Sequence, residues 1–130
     1  TSYDIRDDFM QIAQHNKEYL KLSNLKIKKG SIYEPIKEKN IDLMTIDVPE
    51  PWLALPTAVK ALKPGGFLVS YSPSIPQVMD FVSKLKEGQE FAYLKTIEIS
   101  EREWDVDQRK VRPKSQSIGH SGFLTFARKL

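Results

Sequence analysis

The sequence predicts an α/β fold, a mostly parallel sheet with helices on both faces and an antiparallel strand pair at one edge. Three observations predict it. Helix-like and strand-like stretches alternate from Ile5 to Phe91, the pattern of crossover connections that keeps successive strands parallel. The strand candidate Ile41–Ile46 is predominantly apolar rather than alternating, as in a sheet covered on both faces. The last two strand candidates have no helix between them, so they are expected to pair antiparallel.

Taken in order, Ile5, Phe9, Ile12, Ala13 and Leu20 recur at helical spacing. Asp4 and Asp7 stand where a carboxylate caps free amides and meets the positive end of the helix dipole. Leu25 to Lys28 is a short strand candidate ended by Gly30-Ser31. Ile41–Ile46 is the next. Pro56 suits the first turn of a helix, with Val59 and Leu62 turned inward. "KPGG", residues 63–66, reads as a turn, and Phe67 to Tyr71 as the next strand. Ser74-Ile75-Pro76 opens a helix whose Val78, Phe81, Val82 and Leu85 share one face, with Gly88 as its terminator. Phe91 to Ile99 and Gly122 to Ala127 are the final strands. The intervening residues 101–120 are polar and basic, with Trp104 and Val106 alternating.

A chain of 130 residues suffices for one domain with a core. It is 40% hydrophobic and 28% charged, ordinary for a soluble globular protein. No apolar stretch approaches the length that crosses a bilayer, and no secretory signal is visible at Thr1-Ser2-Tyr3-Asp4. The chain has no cysteine, which excludes disulfides and thiolate metal sites and suits a cytoplasmic location. Two histidines, His15 and His120, are too few for a histidine metal cluster, so no metal is expected. The net charge of +3 is compatible with a nucleic-acid partner. Its densest run is "RKVRPK", residues 109–114, which would equally serve as a solvated loop.

The stretch "DLMTIDVPEPW" carries the chemistry. An apolar strand ends at Asp47, and Pro49 and Pro51 stiffen the loop after it. Ligands of open α/β sheets bind beyond the carboxyl ends of strands. A carboxylate, a rigid backbone and the ring of Trp52 therefore meet one cleft, suited to a planar base. The alternative is that Asp47 caps the next helix and Trp52 is core.

Together and in order, "SYDIRDDF", "GSIYEPI", "DLMTIDVPEPW", "ALKPGGFLVSYSPSIPQV" and "RPKSQSIGHSGFLTFARK" resemble the tRNA (adenine-N1)-methyltransferases that modify the T-loop adenine, of the single-subunit archaeal and bacterial type. The resemblance covers essentially the whole chain. It implies a Rossmann-like class I S-adenosylmethionine-dependent methyltransferase fold, S-adenosylmethionine as cofactor, tRNA as substrate and a homotetramer. The family's first strand and its glycine-rich loop do not precede Tyr3, and its small N-terminal β-domain is missing too. The chain is therefore expected to be the C-terminal part of one methyltransferase domain. By itself it is expected to be poorly stable and to bind cofactor weakly, because the missing strand would lie between the strands ending near Asp4 and near Asp47.

The resemblance also assigns residues. Asp4, with Ile5 beside it, aligns with an acidic residue that accepts hydrogen bonds from the cofactor ribose. Ser31 and Ile32 fall at the adenine site, where the family has Asp in place of Ser31. Asp47 is the candidate catalytic residue and also borders the cofactor. Trp52, Tyr71 and Gln77 are placed around the substrate base. Arg109, Arg112 and Lys114 are candidate phosphate contacts. His120 is placed with the substrate residues, with a structural role as its alternative because Asp47 already supplies the acid–base chemistry. A small-molecule methyltransferase, acting for instance on a corrinoid precursor, and a non-catalytic tRNA-binding subunit are the competing readings.

Overall fold

The computed structural model describes residues 1–115 and 119–130; the Gln116-Ser117-Ile118 part of the last motif lies outside the described residues. The chain divides into two compact units, Thr1–Lys37 and Glu38–Leu130. Its elements are β1 (Ser2–Asp4), α1 (Asp7–Tyr19), β2 (Ile27–Lys29), β3 (Ile41–Asp47), a 3-10 turn (Pro51–Ala54), α2 (Leu55–Ala61), β4 (Leu62–Ser72), α3 (Ile75–Gly88), β5 (Phe91–Glu98), β6 (Trp104–Asp107), β7 (Lys110–Pro113) and β8 (Phe123–Lys129).

In the first unit β1 and β2 pair in parallel, Asp4 opposite Lys29. The helix begins at Asp7 rather than Ile5, with Arg6 as N-cap and Asp7 and Asp8 in the first turn. Asp4 accepts the Arg6 N–H at 2.8 Å, so its carboxylate fixes the entry to α1 and does not cap the helix itself. No residue of this unit is fully buried. The apolar stripe is real, but Ile5, Phe9 and Ile12 are 65%, 47% and 57% exposed.

The second unit holds the core. Its sheet runs β3-β4-β8-β5; β3 is parallel to β4, and β8 is antiparallel to both neighbours. The expected antiparallel closing pair is present, with β8 inserted between β4 and β5. Met44, Ile46, Leu68, Ala127, Phe81 and Leu85 are buried, so the α3 stripe read from the sequence is seated as expected. The reading of Ile41–Ile46 as covered on both faces needs correction. Met44 and Ile46 are buried, yet Leu43 beside Met44 is 54% exposed. A strand turns alternate side chains to opposite faces, and the apolar run hides that only one face is packed.

Two glycines explain the KPGG segment. It is a bulge within β4 rather than a turn before it, for the register jumps from Ile41 opposite Leu62 to Leu43 opposite Phe67. Gly65 has φ +76°, and a Cβ on Gly66 would lie 2.9 Å from the Lys63 carbonyl oxygen and 3.0 Å from that of Ile41. Both positions need a residue without a side chain. At the end of α3 the left-handed position is taken by Gln89, φ 58°, not by Gly88. Residues 104–113 form a hairpin, β6–β7, across the two-residue turn Gln108-Arg109. No strand is expected there from the sequence, because that turn lacks the Gly or Asn that usually marks such hairpins.

Candidate active site

In the first unit, β1 and β2 deliver Asp4 and Ser31 to the same end of a parallel pair. Asp4 closes β1, and Gly30 N–H, directly after β2, donates to the Asp4 carbonyl at 3.0 Å. The Asp4 Oδ2 has no partner among the described residues, which leaves an acceptor for a hydroxyl. Ser31 begins a turn: its Oγ accepts the Tyr33 N–H at 3.2 Å and its carbonyl accepts the Glu34 N–H at 3.2 Å. The hydroxyl keeps its own proton and a second lone pair. Ile32 is half-buried beside it and Ile5 is exposed. Arg6 pairs with Asp8 at 2.5 Å and lies 3.7 Å over the Phe9 ring; the hydrogen bond from Arg6, and to a smaller extent its charge, hold the Asp8 carboxyl below the usual range.

In the second unit, Asp47 closes β3 with its side chain exposed. Among the described residues nothing pairs with its carboxylate. It stands opposite Tyr71 of β4, and Tyr71 stands opposite Leu124 of β8. Partners across adjacent strands share a face, so Asp47, Tyr71 and Leu124 form a row at the carboxyl end of β3 and β4. Tyr71 Oη donates to the Ser121 carbonyl, so its ring rather than its hydroxyl is presented. A Cβ on Gly122 would fall 2.4 Å from that ring; only glycine admits the tyrosine there.

Beyond Asp47, Pro51 and Ala54 are buried and Trp52 is half-buried in the 3-10 turn. The loop is tied down from α3. Gln77 Nε2 donates to the Pro49 carbonyl at 3.0 Å, and Ser74 Oγ donates to Gln77 Oε1 at 2.8 Å. Ser74-x-x-Gln77 has the spacing of a capping box, yet Ser74 bonds the Gln77 side chain instead of a helix amide. That signal was readable in the sequence; its target, Pro49, was not.

The basic run is spread over the β6–β7 hairpin and the residue after it, and Lys114 is its one member with an ion pair among the described residues. Register places Asp105 opposite Arg112 and Asp107 opposite Lys110, and Lys114 Nζ donates to Glu103. Arg109 sits in the turn, exposed and without a partner among the described residues. His120 is exposed, yet both of its ring nitrogens are engaged. Its Nδ1 meets Glu98, its Nε2 lies 3.0 Å from the Pro73 carbonyl, and its ring is 5.0 Å from Phe123. Nothing in the sequence pointed to Glu98, since it lies 22 positions from His120. No group of three or more His, Asp or Glu among the described residues could hold a metal ion.

With this geometry in view, residues 3–112 match the family described as the tRNA methyltransferase complex GCD14 subunit. The chain belongs to that family. It is 44% identical over 108 residues to the tRNA (adenine(57)-N(1)/adenine(58)-N(1))-methyltransferase TrmI of Methanocaldococcus jannaschii, covering 82% of this chain and 38% of that protein. It is 34% identical over 130 residues to the tRNA (adenine(58)-N(1))-methyltransferase TrmI of Thermus thermophilus, covering 98% of this chain and 51% of that one. A crystal structure of an S-adenosylmethionine-dependent O-methyltransferase from Thermotoga maritima superposes with a TM-score of 0.92 at 29% identity, covering 99% of this chain and 49% of that chain. The fold of this GCD14-family chain is thus that of class I S-adenosylmethionine-dependent methyltransferases, and the chain spans roughly 40–50% of the length of these relatives. No helix among the described residues is long and apolar enough to cross a membrane.

Proposed function

We propose that the protein carrying this chain transfers a methyl group from S-adenosylmethionine to N1 of the T-loop adenine of tRNA, in the cytoplasm and as a homotetramer. The observation that carries the reading is Asp47: an exposed carboxylate, unpaired among the described residues, at the carboxyl end of a parallel strand and in register with Tyr71, in a chain of the GCD14 family. S-adenosylmethionine, when bound, supplies an electrophilic methyl on a cationic sulfonium. The residues of this chain do the rest. Asp4 offers an acceptor for ribose hydroxyls, and Ser31 a neutral hydroxyl where a charged partner would hold adenine more firmly; both fit the group, Ser31 more weakly. Ile32 packs on its ring.

Adenine N1 carries a lone pair and needs no prior deprotonation, but the methylated base is cationic. A fixed carboxylate at Asp47 stabilises that charge as it develops and can accept a proton afterwards. Trp52 and the Tyr71 ring hold the base, and Gln77 fixes the loop between Asp47 and Trp52. Arg109, Arg112 and Lys114 meet phosphates. The target base must leave its loop to be reached.

The test is Asp47→Asn in the protein as natively encoded. Turnover is expected to fall by about two orders of magnitude or more with the fold and tRNA affinity retained, read as N1-methyladenosine by mass spectrometry. Near-normal methylation would remove Asp47 from the mechanism. A small-molecule acceptor is the second reading, since the fold is shared with an S-adenosylmethionine-dependent O-methyltransferase whose name specifies oxygen rather than a base nitrogen. Methyl transfer to bulk tRNA compared with a small-molecule pool separates the two.

A further inference from the structure

His120 is bonded on both sides. Its Nδ1 faces the Glu98 carboxylate at the end of β5, and its Nε2 faces the Pro73 carbonyl in the loop between β4 and α3. Both partners are acceptors, and a neutral imidazole has one N–H to give. Only the imidazolium satisfies both. From Pro73 the connection continues through covalent and hydrogen bonds. Ser74 is joined to Pro73 and holds Gln77, and Gln77 holds Pro49, two residues past Asp47. One residue beyond His120, the Ser121 carbonyl receives the Tyr71 hydroxyl.

We propose that His120 is a positioning residue: a doubly donating imidazolium that clamps the end of β5 to the β4–α3 loop and, through Ser74 and Gln77, holds the loop that carries Asp47. This rests on the reading of Asp47 given above. It differs from a substrate contact, since neither ring nitrogen is free to take one. Among the described residues Glu98 is the charged group acting on the ring; Pro73 contributes a carbonyl and Phe123 an uncharged ring. The hydrogen bond that His120 donates to Glu98, then the one it donates to the Pro73 carbonyl, raise its pKa above the ordinary 6.5 against a smaller opposing effect of burial. A raised value means the clamp is fully formed below 6.5 and is lost as pH rises through the folded value.

The deciding variant is Glu98→Gln, which keeps volume and an acceptor but removes the charge. It is made in the protein as natively encoded, because deleting the His120 ring would also strip packing from Phe123. By nitrogen NMR, both ring nitrogens of His120 are expected to be protonated below the ordinary imidazole value, with a midpoint above 6.5. The Gln77 side-chain amide is expected to shift with the same midpoint, and both midpoints to fall in Glu98→Gln. A His120 midpoint at or below 6.5, or a Gln77 amide indifferent to it, overturns the clamp. In turnover, the ratio of wild type to Glu98→Gln is expected near one well below the ordinary imidazole value. It should rise about three- to tenfold between the two midpoints and fall back above both, with tRNA affinity unchanged. A flat ratio, or an effect confined to affinity, also overturns it. A wild-type protein that methylates no tRNA sinks the methyltransferase reading, and the spectroscopic result then decides the clamp alone.

Discussion

Asp47 was legible because its surroundings break rules that a strand obeys. An apolar run stops at a carboxylate, and prolines forbid the ladder to continue. Its partner across the sheet, Tyr71, was legible as a strand end, but the reason for its orientation was not. The ring lies where a Cβ on Gly122 would be, 2.4–2.6 Å from three of its atoms. Gly122→Ala is therefore expected to destabilise the protein by about 1–3 kcal/mol through overpacking, measured by denaturant unfolding. Combining it with Tyr71→Leu should cost less than the sum of the two single changes, since they share one space. A Gly122→Ala protein of unchanged stability would show that the ring moves freely.

At the scale of elements, α3 is the best-determined part of the chain. Its stripe places Phe81 and Leu85 at 0% and 1% exposure, as the helical spacing requires. Phe81→Ala is expected to cost about 3–5 kcal/mol, read by chemical denaturation. The β6–β7 hairpin behaves oppositely. Its sequence shows a cluster of cations; register sets Asp105 and Asp107 opposite two of them, and Lys114 pairs with Glu103, an exposed pair that holds little energy of its own. Arg109 stands exposed at the turn, with no acid opposite it in the register. On the tRNA reading, Arg109→Ala should weaken tRNA binding and lower the salt slope by about one phosphate contact. Lys114→Ala should change both less, because Glu103 already offsets that charge. Equal slopes for the two variants would reject this account of the run.

Over the whole molecule, stability is unevenly spread. Every fully buried residue among those described lies in the second unit, and the first has none. Local opening is cheapest where few apolar groups are buried. In the chain by itself, amide exchange is accordingly expected to be slow in β4, β8 and α3 and fast throughout α1, which has no fully buried residue. Protection of α1 equal to that of α3 would contradict this distribution.

What the sequence determined by itself is what local chemistry dictates: the alternation of helices and strands, the α3 stripe, the carboxylate ending β3, and the motifs shared with the GCD14 family. These depend on neighbours three or four positions away, or on a backbone that proline and glycine restrict wherever they occur. Tertiary structure alone decided the rest. It turned KPGG into a bulge, because Ile41 approaches Gly66. It left Leu43 bare, because packing selects one face of a strand whose apolar run marks neither. It joined His120 to Glu98 and Gln77 to Pro49, because hydrogen bonds between residues 22 and 28 positions apart depend on where the sheet brings chain segments together, and nothing in either local stretch encodes the other's place.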